Sequence, residues 1–154
     1  MSDWLAGSAL DRVEERRVDP DWVRASWADP EAVVLPVGEV AVAVTPDGTL
    51  ATRPTTGAYD PERHYLLGLI EERPHFAMLV EAESTPMRSP ALWQALSLLP
   101  PEEAAIYGAA RSVIEWHNTH RYCGRCGGST KVFRAGWGRR CSACEKEHFP
   151  RTDP

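Results

Sequence analysis

The chain has 154 residues, 43% of them hydrophobic and 25% charged, with a net charge of −5; these are the proportions of a globular protein and exclude disordered, collagen-like and low-complexity chains. No stretch approaches the roughly 20 apolar residues that a spanning helix needs, and residues 1–20 carry acids and arginines throughout, without the apolar centre of a secretory signal, so a cytoplasmic protein with no membrane partner is expected. Residues 121–154 hold eight basic and three acidic side chains, whereas the first 120 residues hold nine and 19, a division that implies two units with different roles.

The first 30 residues, with Trp4, Trp22 and Trp27 set among charges, read as helical or irregular. Strands are predicted over residues 33–35, 39–45 and 49–53. The last two join through Pro46-Asp47-Gly48, in which Pro presets φ, Asp bonds the local backbone and Gly takes a positive φ. A second hairpin is predicted from residues 64–70 and 76–81, turning around Glu71-Glu72-Arg73-Pro74. A short helix follows over residues 89–99, with Leu92, Trp93, Leu96 and Leu99 on one side and Pro100 ending it.

Residues 101–120 read as a longer helix. Pro101 suits a first helical position, Glu102 and Glu103 complement the N-terminal dipole, and Ile106, Ala109, Ala110, Val113, Ile114 and His117 recur at steps of three and four as one buried face. The acid pairs Glu14-Glu15, Glu71-Glu72 and Glu102-Glu103 are read as solvated, since adjacent helical side chains diverge by about 100°.

All four cysteines lie in the basic tail, as Cys123-Gly-Arg-Cys126 and Cys141-Ser-Ala-Cys144. Each pair lets two thiolates converge from one tight turn, and two such turns complete a tetrahedral sulfur shell that suits Zn²⁺. Disulfides meet the absence of an export signal, and a thioredoxin-like motif would open a helix after a strand, which is not the pattern here. Four protein ligands leave no position for water, so the zinc is read as structural. The segment between the pairs reads as strand, Gly-rich turn, strand, which makes a zinc ribbon. Phe133 is assigned to packing against it, His148 to an exposed or partner-facing position, and His117 and His120 to the helix end rather than to the metal.

The fold class is therefore α+β: a β-rich N-terminal domain with flanking helices (1–100), a linker helix (101–120) and a small Cys₄ zinc ribbon (121–150). One functional reading is a free-standing ribbon adaptor that binds nucleic acid through Arg125, Lys131, Arg134, Arg139 and Arg140. A protein-interaction module built on the acidic N-terminal domain is another.

A more specific reading comes from three motifs: Trp116-His-Asn-Thr-His-Arg-Tyr-Cys-Gly-Arg-Cys-Gly-Gly-Ser-Thr130, Gly136-Trp-Gly-Arg-Arg-Cys-Ser-Ala-Cys144 and His148-Phe-Pro-Arg-Thr-Asp-Pro154. Together they strongly resemble the NADH pyrophosphatase family of Nudix hydrolases. Tyr65-Leu-Leu-Gly-Leu69 and His75-Phe-Ala77 resemble that family's N-terminal domain more weakly, so the resemblance spans essentially the whole chain.

The resemblance implies hydrolysis of NAD⁺ or NADH to AMP and nicotinamide mononucleotide, or removal of NAD caps from RNA, by a homodimer with Mg²⁺ or Mn²⁺ held in the Nudix box. No stretch of this sequence matches that box, and residues 151–154 correspond to the start of the Nudix domain. The chain is thus expected to contain no catalytic residue and to be inactive alone. Cys123, Cys126, Cys141 and Cys144 are implied as zinc ligands, and Phe149 as the aromatic that meets the substrate's base. Two positions depart from the family pattern: Gly136 stands where some relatives carry an acid, and Gln94 falls near a substrate-binding arginine.

Overall fold

A computed structural model describes residues 9–38, 44–80 and 90–150, without the side chains of residues 91, 92 and 95. Trp4, residues 39–43 of the predicted strand, residue 89, the Leu92 side chain and the terminal Arg151-Thr-Asp-Pro154 lie outside the described residues. None of the described helices is long and apolar enough to cross a membrane.

A single 3-10 turn, Arg16–Val18, leads into helix α1, Pro20–Ala28. Pro20 supplies a preset φ at the helix start, and the Asp19 carboxylate accepts from the N–H groups of Asp21 and Trp22 at 2.9 and 3.2 Å, which satisfies two of the donors that every helix leaves open. Four strands follow: β1, Val33–Val37; β2, Arg53–Pro54; β3, His64–Ile70; and β4, Arg73–Leu79. Their order in the sheet is β2-β1-β4-β3, with β1 parallel to β4 and the other pairs antiparallel.

Both faces of this sheet are covered, which explains the unbroken apolar runs of β1 and β3. On one face Leu35, Val37, Tyr65, Leu67 and Ala77 pack against helix α3, Pro101–Thr119, through Ala104, Tyr107, Ala110, Val113 and Ile114. On the other, Val34, Leu66 and Phe76 pack against Val23 and Trp27 of α1. Helix α2, Pro90–Leu98, precedes α3. The zinc-ribbon segment forms a separate sheet of β5 (Thr130–Phe133), β6 (Gly138–Cys141) and β7 (Glu147–His148) in antiparallel order.

Several elements differ from the sequence reading. The Pro46-Asp47-Gly48 turn forms, with Gly48 at φ +80° and Thr45 and Thr49 paired across it, but among the described residues 49–52 make no strand, and Arg53 opens β2 instead. Among the described residues the bridge between Val44 and Leu50 flanks the turn, and the Glu103 carboxylate of α3 accepts from the Leu50 N–H. The second hairpin is tighter than predicted. Ile70 pairs with Arg73, so β4 begins at Arg73 rather than Phe76 and ends at Leu79. Of the predicted apolar side of α2, Leu96 and, just past the helix, Leu99 pack on the core, whereas Trp93 is 52% exposed.

The turn between β3 and β4 consists of Glu71 and Glu72 alone, at φ +49° and +64°. Two consecutive positive φ values match the strand twist but suit Asn-Gly far better than two acids. Replacing Glu71-Glu72 by Asn-Gly is therefore expected to stabilise the fold by about 1 kcal/mol, raising Tm by about 3 °C. Thermal unfolding checks this, and an unchanged Tm would show that the turn is unstrained.

Candidate metal centre and adjoining aromatic cleft

The two cysteine pairs occupy matching turns. Arg125 N–H points at Cys123 Sγ at 3.4 Å in the first, and Ala143 N–H at Cys141 Sγ at 3.4 Å in the second. The residue four after each leading cysteine bonds back to its carbonyl, Gly127 to Cys123 and Glu145 to Cys141. Both take a positive φ, +75° for Gly127 and +59° for Glu145. Gly128 lies beneath the turns, where an added Cβ would sit 3.2 Å from Cys141 Sγ and 3.0 Å from Ala143 Cβ.

This packing brings all four sulfurs within 4.8 Å of one another. Cys123 and Cys144 are 3.7 Å apart and Cys126 and Cys141 3.5 Å, and none is in a disulfide. A disulfide would need about 2 Å, whereas four thiolates around one zinc at about 2.3 Å stand about 3.8 Å apart. The donor set therefore fits tetrahedral Zn²⁺. The N–H groups of Cys144 and Ala143 hold the Cys141 thiol down at about 6, while the neighbouring thiols push Cys126 up to about 12; a bound metal requires the thiolate at each ligand. His148 is half-buried rather than exposed, and its Nε2 lies 3.3 Å from Cys123 Sγ, outside the four-sulfur set.

Trp137 and Arg139 lock the ribbon to the N-terminal domain. Trp137 Nε1 donates to the Leu66 carbonyl on the edge of β3 at 2.7 Å. Arg139 is buried, donating to Thr130 Oγ1 at 2.7 Å and to the Glu62 carboxylate at 3.3 Å. This corrects its place among the nucleic-acid-contacting arginines: its charge is spent inside. Arg140 is tied to Glu147 at 2.5 Å, while Arg125, Lys131 and Arg134 are exposed.

His117, read as a helix-end residue on the buried face, lies in the last turn of α3 and is buried at the contact with the ribbon. Its Nε2 meets the Gly136 carbonyl at 2.7 Å, its Nδ1 meets Arg139 Nη1 at 3.0 Å, and its ring stacks on Tyr65 at 4.1 Å. A carbonyl only accepts and a guanidinium only donates, so the imidazole is neutral with its proton on Nε2. Burial, joined by the Arg139 charge and opposed by the Gly136 bond, lowers its pKa from 6.5 to about 4.

The folded pKa is the lower one, so the contribution of His117 is complete above pH 6.5 and is lost as pH falls through 4, about 3 kcal/mol in all. A His117→Gln variant keeps an acceptor and a donor without titrating. Its Tm is expected to fall less than the wild type's between pH 6.5 and 4; parallel curves would contradict the assignment.

Phe149 is 47% exposed and does two things at once. One side meets Phe133 at 5.8 Å between centroids, confirming ring packing for Phe133. The other borders a cleft of about 170 Å³ shared with Arg12, Arg17, Arg134 and Trp137. Arg12 and Arg17 come from the segment before α1. Sequence reasoning missed them because an arginine in a charged run carries no sign of burial. Arg17 is nevertheless 4% exposed, with its guanidinium on the carbonyls of Leu66 and Leu67. Gly136, the departure from the acidic position, does not face this cleft; its Cα lies against the Tyr65 ring. Gln94 is exposed on α2.

Comparison with known proteins places these features in a common frame. Residues 28–116 match the NADH pyrophosphatase-like rudimentary NUDIX domain, and residues 118–149 match the NADH pyrophosphatase zinc ribbon domain. The NAD-capped RNA hydrolase NudC of Deinococcus radiodurans is 27% identical over 128 residues, covering 82% of this chain and 45% of its own. The NudC protein of Mycobacterium tuberculosis is 27% identical over 159 aligned positions, covering 97% and 50%. Nudix hydrolase 19 of Arabidopsis thaliana, a chloroplastic protein, is 46% identical over 55 residues, 34% of this chain and 13% of its own. The chain spans about half the length of the two bacterial relatives that it matches over most of its own length.

Proposed function

The chain belongs to the NADH pyrophosphatase family, and from that premise we propose that it serves as the zinc-braced, non-hydrolytic half of an NAD(H) diphosphatase. The observation that carries this reading is a four-sulfur cluster on the same ribbon as the half-exposed Phe149 ring, in a chain that matches both parts of the family. Cys123, Cys126, Cys141 and Cys144 hold one structural Zn²⁺. The ion supplies cross-linking only, since four sulfurs complete its shell.

Phe149 offers a half-exposed ring on which a nucleotide base stacks. The chemistry is cleavage of the pyrophosphate of NAD⁺, NADH or an NAD-capped RNA, the last being the substrate named for the NudC relatives. Carboxylates of a Nudix box, a motif that these 154 residues do not contain, hold the Mg²⁺ or Mn²⁺ that assists water in that attack. The working unit is a homodimer. The adaptor reading loses support from Arg139 and Arg140, the first buried and the second ion-paired.

The test joins this chain to the Nudix domain of the Deinococcus relative. The fusion is expected to release AMP from NADH with Mg²⁺, and Phe149→Ala to raise KM about tenfold, the worth of one base stack. A folded, zinc-loaded fusion without turnover, or one indifferent to Phe149→Ala, would overturn the reading.

A further inference from the structure

The cleft beside Phe149 carries a charge arrangement that base stacking leaves unexplained. The Arg12 guanidinium lies 5.1 Å and that of Arg17 4.7 Å from the Trp137 ring centroid, and that of Arg134 5.8 Å from the Phe149 centroid. Three guanidinium groups thus border one cavity of about 170 Å³ that includes a single carboxylate, Glu14. None of the three takes part in an ion pair among the described residues, whose pairs are Arg24 with Asp21, Arg139 with Glu62 and Arg140 with Glu147.

Their crowding is unfavourable by itself. Burial first, and then repulsion from Arg12, pushes Arg17 down to about 9. The backbone adds strain: Arg134 and Ala135 both sit at φ +52°, a conformation side chains avoid, just before Gly136 at +102°. That turn sets Arg134 beside Phe149. Glu14 and Asp11 oppose the repulsion from Arg12 only in part, and the donors of Arg12 and Arg134, flat and forked, suit a phosphate group.

We propose that Arg12 and Arg134, backed by the fixed charge of Arg17, form a phosphate-binding clamp that seats the phosphates of a nucleotide whose base lies on Phe149. This rests on the function proposed above and extends it. Arg12 and Arg17 precede residue 28 and lie outside both matched family regions, so the N-terminal segment becomes part of the binding site. The phosphates are either the diphosphate of a dinucleotide or the backbone of an RNA strand.

Titration calorimetry on the zinc-loaded chain with adenosine, ADP and a short 5′-phosphorylated RNA separates these. Arg12→Gln and Arg134→Gln alter exposed side chains and spare the fold, whereas Arg17 carries the Leu66 and Leu67 carbonyls and is left intact. ADP is expected to bind more tightly than adenosine, and each variant to weaken ADP about tenfold without changing adenosine. If the variants weaken RNA and leave ADP unaffected, the clamp stands and its phosphates belong to RNA. No binding of ADP or RNA at millimolar concentration, or ADP and RNA affinities both unchanged in the variants, would overturn the clamp. A Phe149→Leu variant that weakens adenosine while the arginine variants do nothing would leave the base-stacking reading standing and remove only the clamp.

Discussion

Removing zinc, by chelation or by Cys126→Ser, is expected to unfold the ribbon and to loosen the sheet it rests on. Structural zinc contributes about 10 kcal/mol or more of apparent binding free energy, and about 30 residues cannot replace that with a core of their own. The ribbon's buried side chains are few: Ala135, Cys123, Cys141, Thr130 and Arg139 are below a tenth exposed, and four of these are polar or sulfur-bearing. When it opens, Trp137 releases the Leu66 carbonyl and Arg139 releases Glu62. Loss of zinc should therefore shift tryptophan emission to the red and lower the Tm of the whole chain. A metal-free chain with unchanged emission and Tm would show that the cysteines do not brace the fold.

Gly136→Asp, which puts an acid where the resemblance implies one, is expected to destabilise by about 3 kcal/mol. Gly136 has φ +102°, beyond the left-handed region that Asp tolerates, and an added Cβ would lie 2.7 to 2.9 Å from Cβ, Cγ and Cδ1 of Tyr65. Backbone strain and overpacking each cost about 1–3 kcal/mol. Tyr65 is 2% exposed and stacked on His117, so the ring has nowhere to go without disturbing the Arg139 network. Thermal unfolding should show Tm lowered by about 10 °C. A shift under about 2 °C would mean that the ribbon turn can move off Tyr65.

The cysteine pairs, the long helix and the β3–β4 hairpin were legible because each is written in local spacing: C-x-x-C twice, apolar residues at three and four, a breaker between two β-branched or apolar runs. The parallel pairing of β1 with β4 was not, because its partners lie some 40 residues apart and nothing local encodes their register. Polar residues that work inside were the harder loss. His117 stood in an apolar stripe and Arg139 in a basic run, and their meeting with Glu62 and Gly136 depends on how the ribbon docks. Arg12 and Arg17 likewise show their role only once the first described segment bridges Leu69 through Asp11 and lies along β3. Phe149 was reached through resemblance; its exposure and its cleft are what the fold adds.

The most direct test is to incubate the purified, zinc-loaded chain with NADH and Mg²⁺ or Mn²⁺ and measure AMP release. The expected result is no AMP above the metal-only control. Sustained release that tracks the protein through purification would contradict the account, because the carboxylates for metal-assisted hydrolysis would then have to lie within these 154 residues.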